Sequence, residues 1–385
     1  MMKKRRFYLS LFVFVCAIGL FAAFFLEPLV LLLAKRQLAN ICPESVIEIK
    51  AFRMSPLKEA VFSGIEVARK DAYQLRLKEA RIEYSLFSLL SGRLKRLALS
   101  NADIKVSLKD KGIIALKGYF SLPQSGNKAF SVACVSVDGI NLDVAASDVV
   151  LKGSCAAGAD LGKEPIGSID LKVKELAYGG LKVKNALLTA GQKEGGLLSV
   201  EEVSYNKARV SSVKGNTFLD GNTLVIDGLT ANFLGGSVNG SARLAIATVP
   251  GYSVEARFTS LDSAVLTKEF ELKEKVDLEG RVSGRIKVEG GFGRFSVLEG
   301  DLSADSPGGT MTLNDTRYLQ GVADASQQPL DIVIESFRNY HYDTGTARLS
   351  LEGGAVKLEV HLQGEAGKRS WTVVLHDFAT NKEGL

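Results

Sequence analysis

The sequence predicts an all-β protein of antiparallel strands, with few short helices and one N-terminal transmembrane helix. Two observations predict the sheet: apolar residues alternate with polar ones over most of the chain, and glycine is abundant, with 38 among 385 residues. A third observation, an uncharged run of 20 residues near the N-terminus, predicts the transmembrane helix.

The uncharged run extends from Phe7 to Leu26 and follows the basic cluster Lys3–Arg6. As a helix it would be about 30 Å long, which matches the hydrocarbon core of a bilayer. The basic cluster should remain cytoplasmic, which places residues 37–385 on the other side of the membrane. In a bacterium with an outer membrane, that side is the periplasm. The alternative is a cleaved signal peptide, for which Ala22-Ala23 is a poor cleavage site.

Beyond residue 45, the alternation of apolar and polar residues is clearest in Ile104–Leu108 and Val356–Leu362. Antiparallel strands with one apolar face produce this pattern, and we expect roughly twenty of them. Asp220-Gly221 and Gly353-Gly354 can supply the positive φ of tight hairpin turns. A helical pattern is sparse, and a short helix is expected at Asp262–Phe270.

The alternation does not distinguish a sandwich, a closed barrel and an open trough, because each of them needs one apolar face. A trough of twenty strands would extend about 100 Å. It would also expose more apolar area than a soluble monomer usually tolerates, so it would require an apolar ligand.

The composition narrows the classes of function. The basic excess within residues 1–36 accounts for the whole net charge of +5, so residues 37–385 are neutral and nucleic-acid binding is not expected. The sequence lacks the short motifs of zinc proteases, serine hydrolases, nucleotide-binding loops and paired-cysteine redox sites. We therefore expect no enzyme activity, no metal site and no cofactor. Cys134 and Cys155 either form a disulfide in an oxidising compartment or are buried free thiols.

Two stretches resemble a known family. The segment Leu75–Leu108, which contains "SLLSG" and "RLKRLALSNADIKVSL", resembles the N-terminal region of AsmA-like proteins. The segments "LEGRVSGRIKVEGG", "LEGDLSADSPGGTMTL" and "FRNYHYDTGTARLSLEGGAVKLEVHLQG" resemble the C-terminal part of the YdbH-like branch, whose domain is labelled dicarboxylate transport. The resemblance divides the chain into residues 1–36 (cytoplasmic stub and anchor), 37–215 (AsmA-like) and 216–385 (YdbH-like).

The resemblance implies an inner-membrane-anchored periplasmic protein whose long curled antiparallel sheet forms an open apolar groove, a repeating β-groove. It also implies that this groove conducts phospholipids towards the outer membrane. Its implied partners are phospholipids, the inner membrane and, as a further possibility, outer-membrane or periplasmic proteins. A small dicarboxylate would need convergent basic residues, whereas the basic residues here alternate outward along the strands. The alternative function is a tethered scaffold that assembles outer-membrane proteins by strand addition at a sheet edge, and a third is an adhesion module.

In the lipid hypothesis, acyl chains lie along the inward apolar residues of the strands and no single side chain is essential. The alternative for each of these residues is that it belongs to an ordinary sheet core. The residues expected to line the groove are Leu75, Leu77, Ile82, Ile104, Val106, Ile286, Val288, Leu349, Leu351, Val356, Leu358, Val360 and Leu362.

Overall fold

The computed structural model describes residues 27–55, 58–85, 87–88, 91–108, 112–113, 115, 119, 131–160, 164–192, 194–246, 251–274, 276–291, 294–314, 323–324, 327 and 329–375. The predicted transmembrane span, Phe7–Leu26, lies outside these residues. Within the described ranges, no helix combines the length and the apolar composition that a membrane crossing requires.

The chain divides into two compact units. Unit 1 comprises Met1–Gly167 and Ala177–Gly179, and unit 2 comprises Ser168–Leu176 and Gly180–Leu385. Strand β7 (Glu164–Tyr178) contributes residues to both. The predicted division between residues 215 and 216 separates family regions rather than compact units, and it stays a prediction.

Unit 1 is a sheet preceded by a helix at residues 27–41. Its strands are β1 (Val46–Ser55), β2 (Glu59–Arg69), β3 (Tyr73–Glu83), β4 (Arg93–Leu108), β5 (Ser131–Ala146) and β6 (Val149–Asp160). Neighbouring strands pair antiparallel, except that β4 and β5 pair parallel. The purely antiparallel prediction is wrong for this pair. A parallel pair needs a connection of a dozen or more residues, and β4 and β5 are 22 residues apart in the sequence.

In unit 2, consecutive strands pair antiparallel from β8 to β15, and β15 then pairs with both β16 and β17. The ladder continues through β18 to β19. The strands are β8 (Leu181–Gly191), β9 (Gly196–Tyr205), β10 (Ala208–Asp220), β11 (Thr223–Phe233), β12 (Gly236–Ala245), β13 (Gly251–Asp262), β14 (Val276–Gly291), β15 (Arg294–Leu313), β16 (Tyr340–Tyr342), β17 (Thr344–Glu352), β18 (Ala355–Gly364) and β19 (Gly367–Leu375).

The all-β prediction and both predicted hairpins are confirmed, since Asp220-Gly221 joins β10 to β11 and Gly353-Gly354 joins β17 to β18. The predicted short helix is observed as Ser263–Glu269, with Asp262 as its N-cap. Asp262 accepts hydrogen bonds from the backbone N–H groups of Ala264 and Val265. Such a cap satisfies donors that the first helical turn leaves unpaired.

A second short helix, Leu330–Ser336, was not predicted. Its residue Val333 packs with Ala323, Leu330 and Phe337.

One-residue bulges interrupt several strands. The register shifts between Val137 and Ile140 in β5, between Ile226 and Leu229 in β11, and between Phe258 and Leu261 in β13. In each case an interval of three residues on one strand lies opposite an interval of two residues on its partner, so one strand carries an extra residue. A bulge bends the strand and turns the next side chains to the other side. Apolar residues therefore stay on one face of the sheet although their spacing in the sequence changes by one.

Candidate functional site

Packing places Leu75, Leu77, Ile104 and Val106 on one side of the unit 1 sheet, which we call the unit 1 face. Ile82 is two positions from Ala80, which packs on the same side. Leu77, Ala80 and Ala102 form a buried cluster there, against which Leu75 and Leu99 pack. The directly opposite pairs are Leu75 with Ile104, Leu77 with Ala102, Ile82 with Leu97 and Tyr73 with Val106.

In unit 2, the predicted residues also share one side of the sheet, which we call the unit 2 face. A row crosses four strands here: Ile286 is opposite Gly300, Gly300 is opposite Leu349, and Leu349 is opposite Leu358. The remaining predicted residues occupy alternate positions of the same strands. They are Val288, Leu351, Val356, Val360 and Leu362.

Both faces are only partly covered. Of the predicted residues, Leu77, Val106 and Val356 are buried, with exposures of 9%, 6% and 3%. The other ten are half-buried, although large aliphatic residues in a sealed core are usually fully buried. These ten are Leu75, Ile82, Ile104, Ile286, Val288, Leu349, Leu351, Leu358, Val360 and Leu362. The arrangement leaves apolar surface within reach of an apolar ligand.

One end of the unit 1 face is closed by the helix at residues 27–41. Ile41 packs together with the adjoining Cys42 against a cluster that contains Val67 and Val106. Near the other end of the helix, the carboxylate of Glu27 accepts a hydrogen bond of 3.2 Å from the backbone N–H of Met54 in β1. The helix therefore lies alongside β1, a contact that was not predicted from the sequence.

One end of the unit 2 face carries an aromatic cluster. Met311, Tyr340 and Tyr342 are buried there, and Phe337 and Trp371 pack against them. The hydroxyl of Tyr342 donates a hydrogen bond of 2.9 Å to the backbone carbonyl of Glu279. Burial raises the pKa of Tyr342, because the phenolate would lose its hydration there.

The opposite side of the unit 2 sheet is charged, and its charges are paired across strands. Asp301 lies 3.0 Å from Arg285 and 3.4 Å from Arg348. The hydrogen bond from Arg285, assisted by Arg348, lowers the pKa of Asp301. Lys357 lies 2.8 Å from Glu359, and this contact raises the pKa of Lys357. Cations that are paired in this way form no convergent pocket for a small dicarboxylate.

Of the two alternatives for Cys134 and Cys155, the bridge is not formed, and both thiols are free. The two cysteines lie on the paired strands β5 and β6, but Cys134 is opposite Asp160, whereas Cys155 is opposite Ile140. Five residues of β6 therefore separate Cys155 from the position opposite Cys134, which is about 17 Å along the strand. A disulfide needs Cα atoms within about 7 Å.

A metal centre is not formed by the described residues, among which no group of three His, Cys, Asp or Glu side chains could hold an ion.

Two arginines lie on the apolar faces, and sequence reasoning missed both. Arg69 is opposite Tyr73 on the unit 1 face. Arg369 is opposite Leu362 on the unit 2 face. The sequence spacing could have indicated the position of Arg369. It precedes Trp371 by two residues, so it shares the side of β19 that carries this tryptophan.

The comparisons with known proteins give one family. No curated protein and no solved structure matches the chain. The model of the family YdbH-like, described as "Intermembrane phospholipid transport protein YdbH", matches residues 74–369. This range extends from β3 into β19, so it covers more than half of the chain and includes all the residues predicted to line the groove. The family supports intermembrane phospholipid transport as the general activity. The chain therefore belongs to the YdbH-like family.

Proposed function

We propose that this protein is anchored in the inner membrane, has a periplasmic body, and conducts phospholipid acyl chains along its apolar sheet faces towards the outer membrane. The observation that carries the proposal is the incomplete cover of both faces, where ten of the predicted lining residues are half-buried. The family description agrees with this function, because it names phospholipid transport between membranes.

The physical basis is the burial of methylene groups. Each methylene removed from water contributes about 0.8 kcal/mol. Two acyl chains shielded in part by rows such as Ile286, Leu349 and Leu358 therefore gain useful affinity without a specific contact. Because the interaction is non-directional, a chain that slides from one row to the next keeps most of its contact energy.

The proposal includes no enzyme activity, and a transport family agrees with this. The alternative of a scaffold that adds strands to outer-membrane proteins receives no support from the family description.

A pair of substitutions on neighbouring strands tests the proposal. Leu358→Asp places a carboxylate in the middle of the unit 2 face. An acyl chain that covered this carboxylate would remove its charge from water, which is costly. Thr346→Asp places the same carboxylate on the exposed, polar side of β17, opposite His361. Transfer of a fluorescent phospholipid between vesicles by the full-length protein should fall about ten-fold or more for Leu358→Asp and stay near the wild-type rate for Thr346→Asp.

The melting temperature of each variant serves as the folding control. If both variants fold and transfer lipid equally well, the unit 2 face is not the path of the acyl chains and the proposal is wrong.

A further inference from the structure

Arg369 is a cation on an apolar surface. It lies on β19 directly opposite Leu362, so it shares the side of the sheet that carries Leu362, Val360 and Trp371. Its guanidinium lies 5.1 Å from the ring centre of Tyr340 and 5.5 Å from that of Phe337. Contacts of this kind hold an arginine in place and cover part of its surface.

The charge of Arg369 is not neutralised by any carboxylate among the residues that the structure describes. One terminal nitrogen, Nη1, donates a hydrogen bond of 3.0 Å to the backbone carbonyl of Lys368. Its Nε is enclosed by protein atoms and has no acceptor. The side chain as a whole is half-buried, so part of the guanidinium can still meet a ligand. A guanidinium has five N–H donors and suits planar, bidentate contact with an anion.

Arg69 on the unit 1 face provides a contrast. Its guanidinium lies 4.5 Å from the ring centre of Tyr119, so it has the same kind of aromatic support. However, Arg69 forms an ion pair with Glu44. Of these two aromatic-supported arginines, only Arg369 therefore retains a charge for an external anion.

The position of Arg369 indicates which anion this is. The apolar residues of β18 on the same side run from Val356 to Leu362, a distance of about 20 Å, and Arg369 lies at the Leu362 end. An apolar strip that ends at a cation matches a molecule with an acyl chain and an anionic phosphate. We propose that Arg369 binds the phosphate group of a phospholipid whose acyl chains lie on the unit 2 face. This inference rests on the proposed function and adds recognition of the lipid phosphate to it.

Two lipids with identical oleoyl chains test the inference on the full-length protein in a non-ionic detergent. Dioleoylphosphatidylglycerol carries the phosphate and dioleoylglycerol lacks it. Native mass spectrometry should show tighter binding of the phospholipid to the wild type. Arg369→Gln should weaken phospholipid binding about ten-fold, the usual effect of losing a hydrogen bond to a charged group, and leave dioleoylglycerol binding unchanged.

Two further variants separate the specific contact from folding and from general attraction. Arg369→Lys keeps the charge but loses the bidentate geometry, so it should recover part of the preference for the phospholipid. Lys368→Gln removes the neighbouring charge on the opposite side of β19, where Lys368 is exposed and pairs with Gln363. This variant should bind both lipids as the wild type does.

The outcomes are distinguishable. If the wild type binds both lipids equally, or if Lys368→Gln has the effect of Arg369→Gln, the inference is wrong while lipid binding stands. If the wild type binds neither lipid, the proposed function itself fails. A soluble probe, glycerophosphoglycerol, separates a lipid site from a site for free phosphate esters. Full displacement of the phospholipid by this probe at millimolar concentration would overturn the lipid assignment.

Discussion

Two buried tyrosines illustrate how single residues link parts of the sheet across an intervening strand. Tyr84 has an exposure of 5%, and its hydroxyl donates to the backbone carbonyl of Ser55, at 2.9 Å. Tyr342 has the same exposure and donates to the carbonyl of Glu279. Burial raises the pKa of both tyrosines. In each case the neutral phenol is the form that the folded state favours.

The raised pKa of Tyr342 predicts a loss of stability at alkaline pH. The unfolded chain ionises this tyrosine near pH 10.0, whereas the folded protein holds the proton to higher pH. The stability that the raised pKa of Tyr342 contributes is fully present below pH 10, and it is lost as the pH rises above 10 towards the pKa of the folded state. We expect the denaturant midpoint to fall more between pH 9 and pH 11 in the wild type than in Tyr342→Phe.

At pH 9, Tyr342→Phe should cost about 1 kcal/mol, because the hydrogen bond to Glu279 is lost. Identical pH dependence of the two proteins would contradict the role assigned to Tyr342. Some dependence should remain in the variant, since burial also raises the pKa of Tyr73 and Tyr252.

At the scale of secondary structure, close approach of strands explains certain glycines in the apolar faces. Gly284 in β14 is opposite Leu302 in β15. A Cβ at Gly284 would collide with the carbonyl oxygen of Asp301 and lie 2.8 Å from the Cα of Leu302. Gly300 lies on the same face, but a Cβ there would be 3.3 Å from its nearest neighbour, the carbonyl oxygen of Arg285.

These two glycines form a matched pair for mutation. Gly284→Ala should lower the free energy of unfolding by roughly 1–3 kcal/mol, because backbone atoms must move to make room for the methyl group. Gly300→Ala should lower the free energy of unfolding by less than about 1 kcal/mol, since the neighbouring atoms need to move by only a few tenths of an ångström. Urea denaturation of both variants measures the difference. Equal costs would show that the strands do not approach closely at Gly284.

The elements themselves were largely predictable, because alternation and hairpin glycines are local signals. The helix Ser263–Glu269 was also predictable, since its N-cap Asp262 stands next to it in the sequence. The parallel pairing of β4 with β5 was not, because it depends on a crossover rather than on the strands themselves. The one-residue bulges of β5, β11 and β13 were not predicted either, since a single inserted residue such as Ser260 changes the alternation without leaving a turn motif.

At the scale of the whole molecule, the basic residues near the N-terminus decide the proposed orientation. Lys3–Arg6 precede the uncharged run Phe7–Leu26, and Lys35 and Arg36 follow it. The larger positive cluster should stay in the cytoplasm. The rule counts Lys and Arg within about 15–20 residues of the span, so the long body farther along the chain adds no competing bias.

Alkaline phosphatase fused after Leu385 tests this orientation, because the enzyme is active only outside the cytoplasm. The wild-type fusion should be active. Serine at all four positions of Lys3–Arg6 leaves Lys35 and Arg36 as the nearest positive charges, so the active fraction should fall several-fold. Serine at Lys172 and Lys174, which are exposed in β7, should leave it unchanged. An inactive wild-type fusion would contradict a periplasmic body.

Alternation and hairpin glycines were enough to predict the all-β class and the apolar residues of each strand, and the family match confirms the resemblance. The common face in each unit, its partial cover, and the place of Arg369 on it without a described carboxylate partner became known only from the three-dimensional fold. This difference arises because alternation is a property of one strand. Register, coverage and the pairing of charges depend on contacts between residues that are far apart in the chain.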